Sequence, residues 1–329
     1  MDTLRLAKHH ALRNDFLILL LSADEKSTLD ASLLDWSGLA KKACDRRSGI
    51  GADGLILGMI QSSPRAQWEE STFENSRYVD GTARIRMVLY NSDGSDAEVS
   101  GNGVACLADA LAHSQEPWRT AYDELREAYL RVEVETDAGD RTVAWRNSVF
   151  DTPHEGRVVL DTNVDVNMPL VMPGPEISPA LDALISERFG GAARGTGDVG
   201  NPHLVINAGG QIDEIETAQL GALYESYFPR GINVEFIWSR GDERPSIGMS
   251  VWERGAGITQ ACGTGAVAAA VRAGDWGVVP RDFGTYVHMP GGDFALVVQL
   301  GPTNKPQLQV HAERIADIDW PLRGPWLDA

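Results

Sequence analysis

The sequence is poor in cysteine, with Cys44, Cys106 and Cys262 its only three in 329 residues. Three thiols cannot all pair with one another, none has C-x-x-C spacing, and no Cys/His cluster has the spacing of zinc ligands. A disulfide scaffold and a structural metal site are therefore not expected. At least one free thiol is, as a reducing compartment allows. Cys44 and Cys106 read as small buried core residues. Long hydrophobic runs are also missing. The longest early one, Phe16 to Leu21, is far short of the roughly 20 residues that span a bilayer. It follows Arg-Asn-Asp and precedes no small-residue cleavage site, so it reads as a buried strand and not as a signal-peptide core. Positive charge is scarce too: 29 Lys and Arg stand against 47 Asp and Glu, for a net charge of −18. With no dense Lys/Arg run, nucleic acid and an anionic membrane surface are poor partners. A cytoplasmic protein is the expectation.

What is present is enough for two cores: 43% apolar and 23% charged residues, as in a folded globular protein. Short alternating segments broken by Gly-rich turns read as strands: Arg84 to Tyr90, Leu130 to Thr136 turning into Arg141 to Trp145, Val158 to Asp161, Leu204 to Asn207, Asn233 to Trp238, Gly248 to Trp252 and Phe294 to Leu300. Helices are expected at Ala31 to Ala43, Val104 to Ala112, Ala180 to Phe189, Ala218 to Tyr224 and Ala266 to Arg272. Strands outnumber helices, which suggests an α+β fold. Gln61 to Thr82, polar and without a period, reads as a surface insertion. The turn-rich stretch near Phe150 to Glu155 is the expected boundary, giving a first domain of 1–150 plus 311–329 and a second of 151–310.

Two distant segments resemble each other. Ser100-Gly101-Asn102-Gly103 leads into Val-Ala-Cys-Leu-Ala, and Cys262-Gly263-Thr264-Gly265 leads into Ala-Val-Ala-Ala-Ala. Each is a nucleophile-sized side chain, a Gly-x-Gly bend and a small-residue helix, which suggests two halves of like structure. Glycine lets a ligand approach the backbone closely. The first turn of a helix offers unpaired N–H groups and a partial positive charge, a seat for a carboxylate. The same position should lower a thiol from about 8.5 toward neutrality. A dinucleotide fingerprint does not fit, because neither copy completes G-x-G-x-x-G.

These residues resemble the diaminopimelate epimerase family. The resemblance rests on a series in family order: Asn14-Asp15-Phe16, Asp45 to Gly54, Tyr90-Asn91-Ser-Asp-Gly94, Ser100-Gly-Asn-Gly103, Gly200-Asn201-Pro202-His203, Gly231 to Phe236, Glu253-Arg254-Gly255, Ala261-Cys262-Gly-Thr-Gly265 and Pro290-Gly-Gly292. It implies two similar α/β halves, each a curved, mostly antiparallel sheet around a central helix, with the active site in the cleft between them. It implies no cofactor and no metal, interconversion of LL- and meso-2,6-diaminopimelate for lysine and peptidoglycan precursors, and a homodimer. By matching positions, Asn14, Asn91, Asn201 and Asn233 should hold the far end of the substrate. The backbone of Gly101, Asn102, Gly263 and Thr264 should hold the reacting carboxylate. Glu253 and Arg254 should meet the reacting amino acid, with His203 beside the first base. In isolation, Asn91 and Asn201 read as turn residues, His203 as a core histidine, and Glu253-Arg254 as a surface pair.

Removing an α-proton without an electron sink needs electrostatic stabilisation, a base on one face of the carbon and an acid on the other. Cys262 suits one role. Where the family usually has a second cysteine, this chain has Ser100, whose alkoxide is far harder to form, so help from a relay such as His203 is expected. Three readings follow: a Cys262/Ser100 diaminopimelate epimerase, an epimerase or racemase of another amino acid, or a catalytically impaired amino-acid-binding paralogue.

Overall fold

The computed structural model describes residues 3–22, 24–25, 35–70, 77–123, 127–152, 157–281, 283–292, 294–299 and 305–321. The chain divides into two compact units, Met1–Val166 with His311–Ala329, and Asn167–Val310.

The first unit holds β1 (Thr3–Ala11), β2 (Asn14–Leu21), α1 (Trp36–Cys44), β3 (Gly54–Glu70), β4 (Arg77–Asn91), β5 (Asp96–Ala97), α2 (Gly101–Ser114), α3 (Trp118–Asp123), β6 (Ala128–Glu135), β7 (Arg141–Thr152) and nearly all of β8 (Arg157–Asn167). The second holds β9 (Met172–Pro173), α4 (Pro179–Phe189), β10 (Arg194–Asp198), β11 (Pro202–Asn207), α5 (Glu214–Glu225), β12 (Asn233–Ser239), β13 (Ser246–Glu253), β14 (Gly257–Ile258), α6 (Gly263–Asp275), β15 (Thr285–His288) and β16 (Phe294–Val298). The long β17 (Gln307–Pro321) starts in the second unit, paired with β16, and ends in the first, paired with β1.

The repeat foreseen in the turns extends to the whole topology. In the first unit β1–β2 is antiparallel, β2–β3 parallel, β3–β4 antiparallel, β4–β6 parallel and β6–β7 antiparallel. In the second, β10–β11, β11–β12, β12–β13, β13–β15 and β15–β16 follow the same alternation. Even the two-residue strands correspond, β5 lying on β4 and β14 on β13. In the first unit the order β1-β2-β3-β4-β6-β7-β8-β17 returns to β1, closing a ring.

Side-chain alternation explains why each sheet wraps one helix and carries others outside. Leu17, Leu19, Leu55 and Leu57 face one way, into a core with Leu39, Ala40 and Ala43 of α1. Leu204, Ile206, Val234 and Phe236 do the same in the second unit, against Leu181 and Ile185 of α4 and Tyr224 of α5. The opposite faces receive α2, buried from Gly101 to His113, and α6, buried from Gly263 to Ala270. The sheet also makes room for α2: a Cβ on Gly58 of β3 would lie 2.7 Å from a methyl carbon of Leu107.

The expected helices appear with longer boundaries, the first of them, as far as described, as α1, while α3 was not foreseen. Within Gln61 to Thr82, expected as a surface insertion, β3 and β4 continue as a hairpin, paired from Arg65 with Thr82 to Glu70 with Arg77, and residues 71–76 lie outside the described ones. Main-chain pairing there does not require an apolar face, so hydropathy gave no sign of it. The stretch expected to part the domains near 150 instead joins β7 to β8, which stay paired from Thr152 with Arg157 to Val143 with Val166; 153–156 lie outside the described residues. The units part at Val166/Asn167.

Candidate active site

Ser100 and Cys262 occupy the same place in their units. Each is the N-cap residue of the enclosed helix, with φ −133° in both and ψ 126° and 111°. Ser100 Oγ accepts from the N–H of Gly103 at 3.1 Å, and Cys262 Sγ from the N–H of Gly265 at 3.3 Å. Gly101-Asn102 and Gly263-Thr264 are the first two residues of α2 and α6, whose N–H groups have no acceptor within the helix. The positions expected to seat a carboxylate thus have, in each unit separately, the backbone to do so.

In the second unit the thiol is enclosed by groups from β11, β12 and β13. Cys262 is buried, its sulfur 3.5 Å from Thr264 Oγ1. Burial, and after it the carboxylates of Glu253 and Glu235, pushes the thiol well above its ordinary value, against the pull of Thr264 and the Gly265 N–H. This reverses the expectation of a thiol lowered by the helix end. Against the helix end stand two acidic neighbours, which come from strands distant in sequence. Burial likewise raises the carboxyl of Glu253, only partly offset by the hydrogen bond from Thr259 and by the neighbouring Cys262 thiol. Burial thus disfavours the ionised form of each group, as in a pair that exchanges one proton.

His203 and Glu235 are fully buried beside them. His203 Nδ1 lies 2.6 Å from Glu235 Oε1, and Nε2 lies 3.0 Å from Asn201 Oδ1. Asn201 Nδ2 reaches Thr264 Oγ1 at 3.4 Å. Asn233 also holds the local backbone: its Nδ2 donates to the carbonyl of Pro202 at 3.1 Å and its Oδ1 accepts from the N–H of Arg254 at 2.9 Å, leaving a second N–H and a second lone pair. The exposed Arg254 donates to the carbonyl of Arg230 at 3.3 Å.

The first unit repeats the pattern with other chemistry. Asn102 Nδ2 reaches Asn14 Oδ1 at 3.4 Å, as Asn201 reaches Thr264. Asn14 Nδ2 donates to Asp53 Oδ2 at 2.8 Å, and Arg46 bridges Asp53 and Asp15 at 2.8 and 2.6 Å. Burial would raise Asp15, but Arg46 and Lys8, the latter 2.9 Å away, hold it below the usual carboxylate range. Asn91 faces solvent and donates to Ser95 Oγ at 3.0 Å, a turn contact. Cys106 and Cys44 are buried thiols, the latter pushed up to about 12 by burial and by Asp15 and Asp53.

Sequence reasoning brought Ser100, Asn14 and Asn102 together in one unit and Cys262, His203, Glu253, Asn201, Asn233 and Thr264 in the other. It missed Glu235, Asp53 and Thr259. For Glu235 a signal existed: one acid inside the apolar run Asn233 to Trp238, on the face opposite Val234 and Phe236. Among the described residues no group of three or more His, Cys, Asp or Glu is placed to hold a metal ion, and no helix is long and apolar enough to cross a membrane.

The fold is one that epimerases and racemases use. A hydroxyproline epimerase from Agrobacterium vitis superposes with a TM-score of 0.59 at 15% identity, covering 99% of this chain and 93% of its own. A probable proline racemase from Agrobacterium radiobacter does so with 0.57 at 15%, covering 97% and 93%. The sequence narrows the class. The model of the family described as diaminopimelate epimerase matches residues 6–159 and 196–306. A diaminopimelate epimerase of Pelotomaculum thermopropionicum is 35% identical over 325 residues, 96% of this chain and 98% of its own length. That of Moorella thermoacetica is 36% identical over 298 residues, 88% and 89% of the two chains. This chain belongs to the diaminopimelate epimerase family and is an isomerase of that pyridoxal-phosphate-independent kind.

Proposed function

We propose that the protein interconverts LL- and meso-2,6-diaminopimelate by proton transfer at one α-carbon, with Cys262 and Ser100 serving its two faces. The observation that carries this reading is the matched capping geometry of the two residues, one sulfur and one oxygen in the same place in two copies of one unit. In this reading the N–H groups of Gly101, Asn102, Gly263 and Thr264 stabilise the carboxylate as negative charge develops on it. Glu253, whose charge acts on the Cys262 thiol, is the group that takes up or returns the thiol's proton as the sulfur acts as base or acid. Arg254 meets the substrate carboxylate, and Asn14, Asn91, Asn201 and Asn233 bind its distal amino-acid end. For Asn91 this means exchanging Ser95 for substrate. His203, expected as a relay to Ser100, has both ring nitrogens held by Glu235 and Asn201 and in this reading supports the Cys262 side. The cytoplasm and a homodimer belong to the same proposal.

The test is inversion of purified L-amino acids followed by chiral chromatography. LL-diaminopimelate should be converted to the meso isomer, proline and 4-hydroxyproline left unchanged, and Cys262→Ala should abolish conversion. Inversion of a different amino acid points to the second reading, an epimerase or racemase of changed specificity. Binding without inversion points to the third.

A further inference from the structure

The repeat makes an internal comparison possible. β2 meets β3 with Phe16 opposite Gly54, and β11 meets β12 with His203 opposite Asn233. Counting along the paired strands, His203 stands where the first unit has Phe16, and Glu235 where it has Ile56. The enclosed helices confirm the equivalence. A Cβ built on Gly103 would lie 3.3 Å from Ile56 Cδ1, and one on Gly265 would lie 2.7 Å from Glu235 Oε1. Under Ser100, then, the sheet presents two buried hydrocarbon side chains; under Cys262 it presents a buried carboxylate and an imidazole. The fold does not need the polar pair at these positions, since its own first half is built without one. Burying such a pair commonly gains nothing over well-packed apolar side chains. It is also imperfectly satisfied: Glu235 Oε2 is buried without a hydrogen-bond partner. A costly feature present only on the thiol's side asks for a local purpose.

The contacts supply one. Glu235 Oε1 takes the Nδ1 side of the His203 ring and so fixes the direction of Nε2, which meets Asn201 Oδ1. With both ring N–H groups donating, Nδ1–H to Glu235 and Nε2–H to Asn201 Oδ1, that contact sets which way the Asn201 amide faces, turning Nδ2 toward Thr264 Oγ1, itself 3.5 Å from Cys262 Sγ. We infer that Glu235 is a positioning residue, which through His203 sets the orientation of the Asn201 amide and the Thr264 hydroxyl against the thiol. The inference rests on the reading of Cys262 as a proton-transfer residue and extends it to a side chain that touches no substrate. Supporting partners of this kind hold a working group in its productive rotamer.

Three measurements on the full chain test it. The first is a proton NMR spectrum of the ¹⁵N-histidine-labelled protein, in which the Nδ1–H of His203 on a buried carboxylate resonates far downfield and moves upfield in Glu235→Gln. This reading needs no substrate. The second is kinetic: Glu235→Gln lowers kcat/KM for diaminopimelate at least tenfold with an unchanged thermal midpoint. The third is the double variant His203→Phe with Glu235→Ile, which copies the first unit. It melts no lower than the parent and loses at least a hundredfold in turnover. A parent without the downfield proton, or a Glu235→Gln variant with parental kcat/KM, overturns the inference. So does a double variant that turns over at the parental rate, or one that unfolds, which makes the pair a structural element. If the parent inverts no diaminopimelate while the downfield proton is present, the substrate reading fails and the placement of His203 stands.

Discussion

Ser100 Oγ and Cys262 Sγ each accept the N–H three residues ahead, at 3.1 and 3.3 Å, from backbones with the same φ. One repeat unit thus carries an alcohol where the other carries a thiol. The difference in acidity is large, about 8.5 for an ordinary thiol and far higher for an alcohol. Ser100→Cys is therefore expected to raise turnover tenfold or more. A loss of similar size means that the first half-site is tuned around the hydroxyl. Ser100→Ala, which leaves the Gly103 N–H without its cap, should cost about 1 kcal/mol of stability in denaturant unfolding.

Glu253 lies against the thiol and raises it, second only to burial. Glu253→Gln removes that negative charge and leaves the shape. The pH at which Cys262 becomes half-reactive toward iodoacetamide, followed by peptide mapping, should then fall. Turnover should fall with it, at least a hundredfold, because a thiol that has given up its proton has lost the carboxyl that exchanges it. An upward move of the reactive pH contradicts this account.

Asp109 lies on α2 within the first unit, outside the proposed proton transfer. Its carboxylate is fully buried and takes hydrogen bonds from Trp145 Nε1 and His9 Nδ1, both at 2.8 Å, with His113 Nδ1 at 3.3 Å. Burial alone would raise it, but His113 and His9 hold it well below the usual carboxylate range. Burial would lower His113, but Asp109 holds it above its ordinary value. The signs fix the pH dependence. The lowered Asp109 contributes stability above about pH 3.9, lost as pH falls through its folded value. The raised His113 contributes below about pH 6.5 and loses its share as pH rises through its folded value. Asp109→Ala, which strands Trp145 and His9, should cost about 3–5 kcal/mol by denaturant unfolding near neutral pH. It should also flatten the acid limb of the stability profile. A cost under about 1 kcal/mol contradicts the reading.

Much of this was legible in the sequence, for a physical reason. Strands with one face on a core alternate, so Leu130 to Thr136 and Arg141 to Trp145 read directly as β6 and β7. The helix caps announce themselves through Ser100 and Cys262 before Gly-x-Gly. What stayed hidden depends on pairing between distant segments. β17 lies at 307–321 yet completes sheets in both units, and the hairpin extension beyond Gln61 is held by its backbone. The state of Cys262 was misjudged for the same reason. Its helix was visible, whereas Glu235 and Glu253, on β12 and β13, approach it only after folding.

The proposal of two groups on opposite faces of one carbon is tested most directly by early-time deuterium labelling. LL-diaminopimelate is incubated with the protein in D₂O, and the isomers are separated after a few per cent conversion. The account predicts one deuterium at the inverted α-position of the meso product and none in the recovered LL substrate. The proton leaves to one side and the solvent-derived deuteron arrives from the other. Deuterium appearing equally in both isomers, or inversion without any label, contradicts it.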